Sequence, residues 1–67
     1  MNKFIFTEDD SIDDKLDDLW NKSSINSWIG FLMSLDDNII DADYSQQTTT
    51  LTFKQPEHIT FFVLKYS

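Results

Sequence analysis

Half of the fourteen residues in TEDDSIDDKLDDLW, Thr7 to Trp20, carry a carboxylate: Glu8, Asp9, Asp10, Asp13, Asp14, Asp17 and Asp18. Acidic side chains in pairs can do three kinds of work. They can move protons, bind a hard cation, or present negative charge to a basic surface. The rest of the sequence discriminates among the three.

Proton transfer needs one carboxyl set apart from its neighbours in a cleft. Nothing in the pattern singles one out, and a chain of 67 residues rarely encloses such a cleft. The one histidine, His58, follows Pro56 and Glu57 and reads as an exposed turn residue. There is no phosphate loop, nucleophile elbow or paired-histidine metal motif. The expectation is a protein that is not an enzyme, with no catalytic residue and no cofactor.

Cation binding has one local signal. Asp36-x-Asn38 and Asp41-x-Asp43-x-Ser45 resemble the opening of a calcium-binding loop. The glycine needed at the sixth loop position is missing, and the twelfth residue is not glutamate. No specific metal site is expected.

Charge presentation is left, and the residue types favour it. Ten of the twelve acids are aspartate, which forms helices less readily than glutamate because its short side chain competes for backbone groups. Asp9, Asp10, Asp13, Asp14, Asp17 and Asp18 fall on one arc of a helical wheel, opposite Ile12, Leu16, Leu19 and Trp20. Six of their pairings are three or four residues apart, at a cost of roughly 1–3 kcal/mol in like-charge repulsion. Side chains one turn apart stand about 5–6 Å from each other, comparable with successive phosphates on a nucleic-acid strand. A rod of aspartates can therefore imitate a phosphate row. Asp36, Asp37, Asp41 and Asp43 form a second acidic group that could extend the surface.

Net charge points the same way. At −7, with five lysines and no arginine, the chain would be repelled by nucleic acid and by anionic membranes. The expected partner is a basic nucleic-acid-binding protein: a nuclease, CRISPR effector, glycosylase or polymerase. Phe31 and Tyr66, with Met33 and Phe62, are candidate apolar anchors for it. Size, charge and lysine-only composition resemble, in general character and over no alignable stretch, the anti-defence and host-takeover proteins that phages encode. That resemblance implies an inhibitor of the anti-CRISPR or anti-restriction kind, acting in the host cytoplasm. The alternatives are an immunity protein or antitoxin that neutralises a cationic toxin, and a structural protein that forms homodimers.

The elements that must position these residues are readable from periodicity. Lys3–Phe6 is strand-like. Thr7 with Asp10, or Ser11 with Asp14, offers a capping box for a helix ending near 21–23. Ser23 or Ser24 caps a second helix carrying Ile25, Trp28, Ile29, Leu32 and Leu35. Ile39–Tyr44 reads as a strand, followed by a polar turn at 45–47. TTTLTFK alternates cleanly, with Leu51 and Phe53 on one face. After a turn at 55–58, Ile59–Tyr66 reads as a final strand, apolar on both faces. The expected fold is one α+β domain covering 1–67, in the order β-α-α-β-β-β. Two helices pack on one face of an antiparallel sheet of three or four strands.

Without cysteine, stability rests on the apolar core, and ten aromatic residues supply it. No signal peptide is visible, and the apolar run 28–35 is too short to span a bilayer.

Overall fold

Thr48–Phe53 (β3) organises the molecule. Its β-branched and aromatic residues alternate in burial, with Thr49, Leu51 and Phe53 facing inward and Thr48, Thr50 and Thr52 facing outward. In the computed structural model, which describes residues 2–67, β3 is the centre of a three-stranded antiparallel sheet. Lys3–Thr7 (β1) pairs along one side and Ile39–Ser45 (β2) along the other, giving the order β1-β3-β2.

Register decides which side chains meet the helices. Phe4 and Phe6 lie opposite Leu51 and Thr49, and Ala42 and Tyr44 lie opposite the same two residues from β2. These side chains share the inward face. Lys3, Ile5, Asp41 and Asp43 share the other face with Thr50 and Thr52, and no helix covers them. A bulge between Ile39 and Asp41 leaves Ile40 unpaired and exposed.

Three helices cover the inward face: Ser11–Asn21 (α1), Trp28–Leu35 (α2) and Pro56–Tyr66 (α3). They supply Ile12 and Leu16, Phe31 and Leu32, and Phe62 to one core shared with Phe6, Ile39, Leu51 and Phe53. Aromatic rings knit it together. The Phe62 ring lies 5.4 Å from Phe53 and 6.4 Å from Phe4, both edge to face.

The α+β class, the antiparallel sheet and the first five elements agree with the sequence reading. The sixth does not. Residues 59–66 form a helix, so the order is β-α-α-β-β-α. Pro56 stands at the first helical turn, Glu57 follows it, and Lys65 occupies the last turn, all favourable positions for a helix. His58 consequently lies in α3, partly buried, rather than in an exposed turn.

Helix boundaries also move. Ser27, not Ser23 or Ser24, caps α2, its Oγ accepting from the Gly30 N–H at 3.2 Å. Ser23 serves the end of α1 instead, its hydroxyl donating to the Trp20 carbonyl at 2.8 Å. Asp10 occupies the N-cap of α1, but its carboxylate reaches back to the Thr7 N–H at 2.8 Å.

The β2–β3 hairpin turns on two residues, Gln46 and Gln47, with φ of 50° and 65°. Two positive φ values match the twist of the flanking strands, but a side chain in this region costs about 1–2 kcal/mol. Asn-Gly relieves most of that cost. The double variant Gln46→Asn, Gln47→Gly is expected to gain about 1–2 kcal/mol in chemical denaturation. A loss of stability would show that the glutamines contribute contacts of their own.

Candidate acidic and aromatic interface

Helix α1 presents three faces, four residues apart in pattern. Ile12 and Leu16 enter the core. Asp14 and Asp18 face solvent. Between these faces, Asp13, Asp17 and Trp20 run up the helix at i, i+4 and i+7 and border a cleft. Trp28 at the start of α2, Tyr44 on β2 and Glu8 before α1 complete it. The cleft holds about 240 Å³.

Its aromatic wall is fixed from behind. The Trp20 and Trp28 rings lie 5.2 Å apart at 56°, and Trp28 stacks on buried Phe31 at 5.8 Å. Trp20 Nε1 donates to the Ile25 carbonyl at 2.9 Å, and Trp28 Nε1 donates to Thr49 Oγ1 at 3.3 Å. Thr49 is itself buried. On the opposite side the Tyr44 hydroxyl donates to Glu8 Oε1 at 3.3 Å.

Of the six aspartates read as one helical arc, four lie on α1. Asp9 and Asp10 precede its first turn, so three like-charge pairings remain within the helix: 13–17, 14–17 and 14–18. The repulsion falls to about 0.6–1.5 kcal/mol. Among the described residues a single ion pair is present, Lys22 Nζ to Asp18 Oδ2 at 3.0 Å, with both side chains well exposed. Such a pair contributes only about 0.3–0.5 kcal/mol. The row is left essentially uncompensated.

Asp13 registers this. Partial burial raises its carboxyl above the usual value, and Asp17, Glu8, Asp14 and Asp10 raise it further by like charge. The folded state therefore holds its proton more tightly than the unfolded chain. That contribution to stability is full below the unfolded value of 3.8 and is lost as pH rises through the higher folded value. On a change from about pH 7 to about pH 4, the melting midpoint of Asp13→Asn is expected to rise less, or fall more, than that of wild type. Equal responses would refute the assignment. Tyr44 is raised as well, by partial desolvation and then by the charge and hydrogen bond of Glu8 and the charge of Asp13.

No protein-family model, curated protein or solved structure matches this chain. The functional reading rests on its geometry.

The remaining candidate residues divide. Asp36 ends α2, one oxygen accepting from the Asn38 N–H at 2.9 Å, with Asp37 exposed beside it. Asp41 and Asp43 are exposed on the open face of the sheet, opposite the face that α1 covers. The second acidic group therefore does not extend the α1 row. Phe31, read as an exposed anchor, is 4% exposed and belongs to the core. Phe62 is buried too, and Tyr66 is partly buried against it with ring centroids 4.8 Å apart. Conversely Leu19, on the apolar stripe with Ile12 and Leu16, is exposed. The apolar side chains that do reach solvent on α3 are Phe61 and Leu64, at 63% and 70%.

Trp20 and Trp28, members of the apolar stripes of the two helices by spacing, pack against the core but are only half-buried, and their outer sides wall the cleft. A signal was present: at the helical period Trp20 falls inside the aspartate arc, next to Asp13, and not opposite it, so one edge of it had to border carboxylates. Tyr44 carried none, because its position depends on β2 lying at the sheet edge. Among the described residues no helix is long and apolar enough to cross a membrane.

Proposed function

We propose that this protein is a small acidic inhibitor that occupies the nucleic-acid-binding surface of a basic protein, with α1 imitating a phosphate row. The observation that supports it most is the pair of carboxylate columns on α1, Asp13–Asp17 and Asp14–Asp18. They are held on a rigid helix, and Lys22 alone pairs with any of them among the described residues. A surface needed only for solubility would intersperse both signs of charge. The partner supplies the missing cations, and binding releases the anions condensed on them, so affinity falls with salt. Nuclease, CRISPR effector, glycosylase and polymerase channels all have this chemistry. The setting is the cytoplasm of a host cell, with a phage or mobile element as the source.

The test is competition. The protein is titrated into labelled duplex bound to a restriction endonuclease, a CRISPR effector, a glycosylase and an RNA polymerase, at low and high salt. Displacement from at least one enzyme at low salt, weakened at high salt, is expected. Failure to displace any would overturn the proposal. An immunity protein or antitoxin would use the same row against a cationic toxin, and a toxin gene adjacent to this one would favour that variant.

A second reading has its own support. Phe61 and Leu64 lie three residues apart on the outer face of α3, and such a pair suits self-association. Sedimentation at high salt discriminates. A dimer that persists, and that Leu64→Asn splits, would identify a homo-oligomeric protein.

A further inference from the structure

Which group of a basic partner would this surface recognise individually? The donor and acceptor inventory of the cleft answers that question. Both indole N–H groups and the tyrosine O–H are committed within the protein, to Ile25, Thr49 and Glu8. What the side chains lining the cleft still offer is the faces and edges of three aromatic rings and the oxygens of Glu8, Asp13 and Asp17. An anion or carbonyl would find no side-chain donor there. A ligand that only donates, carries positive charge and has an apolar plane meets every remaining group.

We propose that the cleft formed by Glu8, Asp13, Asp17, Trp20, Trp28 and Tyr44 receives the guanidinium group of one arginine side chain from the basic partner. This rests on the inhibitor reading above and names the contact by which it gains specificity. The aromatic walls are an observation independent of the charges, since a phosphate-like row needs no tryptophan.

Guanidinium suits the site better than ammonium. It is planar, so it stacks against the angled Trp20–Trp28 wall. It is weakly hydrated, so entering a half-buried cleft costs it less water. Its fork of N–H groups can reach a carboxylate on each side. An inorganic cation fits poorly, because among the described residues no three acidic or imidazole side chains gather closely enough to hold one. A guanidinium would also relieve the like-charge crowding that raises the Asp13 carboxyl.

Other features carry less. The outer face of α3 has nothing to indicate what covers it, and the shallow hollow around Phe4, Ile12 and Val63 mixes groups with no common ligand chemistry.

The test uses the indole N–H resonances of Trp20 and Trp28 as reporters. N-acetyl-arginine amide, N-acetyl-lysine amide and the neutral isostere N-acetyl-citrulline amide are titrated at constant ionic strength. Arginine is expected to shift both signals saturably, with a dissociation constant on the order of 1 mM. Lysine should bind several-fold more weakly, and citrulline at least about tenfold more weakly.

Two charge-matched variants separate cleft from background. Asp13→Asn with Asp17→Asn should weaken arginine binding about tenfold, whereas Asp14→Asn with Asp18→Asn should change it less than about twofold. Should the first pair disturb the fold, Tyr44→Leu at the sheet edge removes one aromatic wall and should also weaken binding several-fold. Citrulline or lysine binding as tightly as arginine, or equal losses in both aspartate pairs, would overturn the proposal.

The two levels fail separately. Saturable arginine binding by a protein that displaces nucleic acid from none of the enzymes would keep the cleft and remove the inhibitor reading. Salt-sensitive displacement by a protein whose tryptophan signals arginine amide does not shift, and whose displacement survives Tyr44→Leu, would keep the inhibitor and remove the cleft.

Discussion

Replacing Asp13, Asp14, Asp17 and Asp18 together by asparagine is expected to abolish nucleic-acid competition while leaving the protein folded. The two effects separate because they draw on different interactions. In the complex each carboxylate faces a cation at close range, and a loss of about 1 kcal/mol per site sums to about 4 kcal/mol, near a thousandfold in affinity.

In the free protein the terms nearly cancel. Removing three like-charge pairings gains about 0.6–1.5 kcal/mol. Losing Asp13 and Asp14 from the first turn forfeits helix-dipole attraction of about 0.3–1 kcal/mol each. Losing the Lys22–Asp18 pair forfeits about 0.3–0.5 kcal/mol. Asparagine and aspartate have similar helix propensity, so the net change stays within about 2 kcal/mol. Circular dichroism melts and the duplex competition assay read the two quantities on one sample. Competition retained at wild-type strength by a folded quadruple variant would rule out the phosphate-row mechanism.

The second large effect is structural. Phe62→Ala is expected to cost about 3–5 kcal/mol. The side chain is 1% exposed and its ring meets Phe4, Phe53 and Tyr66, so truncation leaves a void bordered by β1, β3 and α3. A domain of this length is stable by only about 3–10 kcal/mol in total, so much of the population should unfold at room temperature. Phe61→Ala, one residue earlier and mostly solvated, should change stability by less than about 0.5 kcal/mol. Urea titrations of the two variants give the contrast directly. Similar losses would mean that residue 61 is also covered.

That contrast shows where the sequence could be read and where it could not. As a strand, ITFFVLKY would place Phe62, Leu64 and Tyr66 together on one face. As a helix it buries Phe62 and turns Leu64 outward, which is the arrangement found. Both periods fit a segment so rich in β-branched and aromatic residues, and composition favoured the wrong one. The deciding information lay at the ends, in Pro56 at the first turn, just before the segment, and Lys65 within its last turn.

Helix α1 and strand β3 were legible because each has one unambiguous period. The acidic row was legible for the same reason. The cleft was not, since it depends on Trp28 and Tyr44 arriving beside Trp20 from separate elements. Phe31 was misassigned because α2 is apolar on most sides, so periodicity could not say which side faced the sheet.

The strand order has a consequence for how the chain acquires its structure. The central strand is the fifth of six elements, and β1 meets it through residues more than 40 positions apart. Until Thr48–Phe53 exists, neither outer strand has a neighbour, and the core lacks Leu51 and Phe53. A nascent chain emerging from the ribosome thus carries no part of this sheet before Thr48–Phe53 is made. Acquisition is concerted and late, limited by one long loop closure rather than by helix growth.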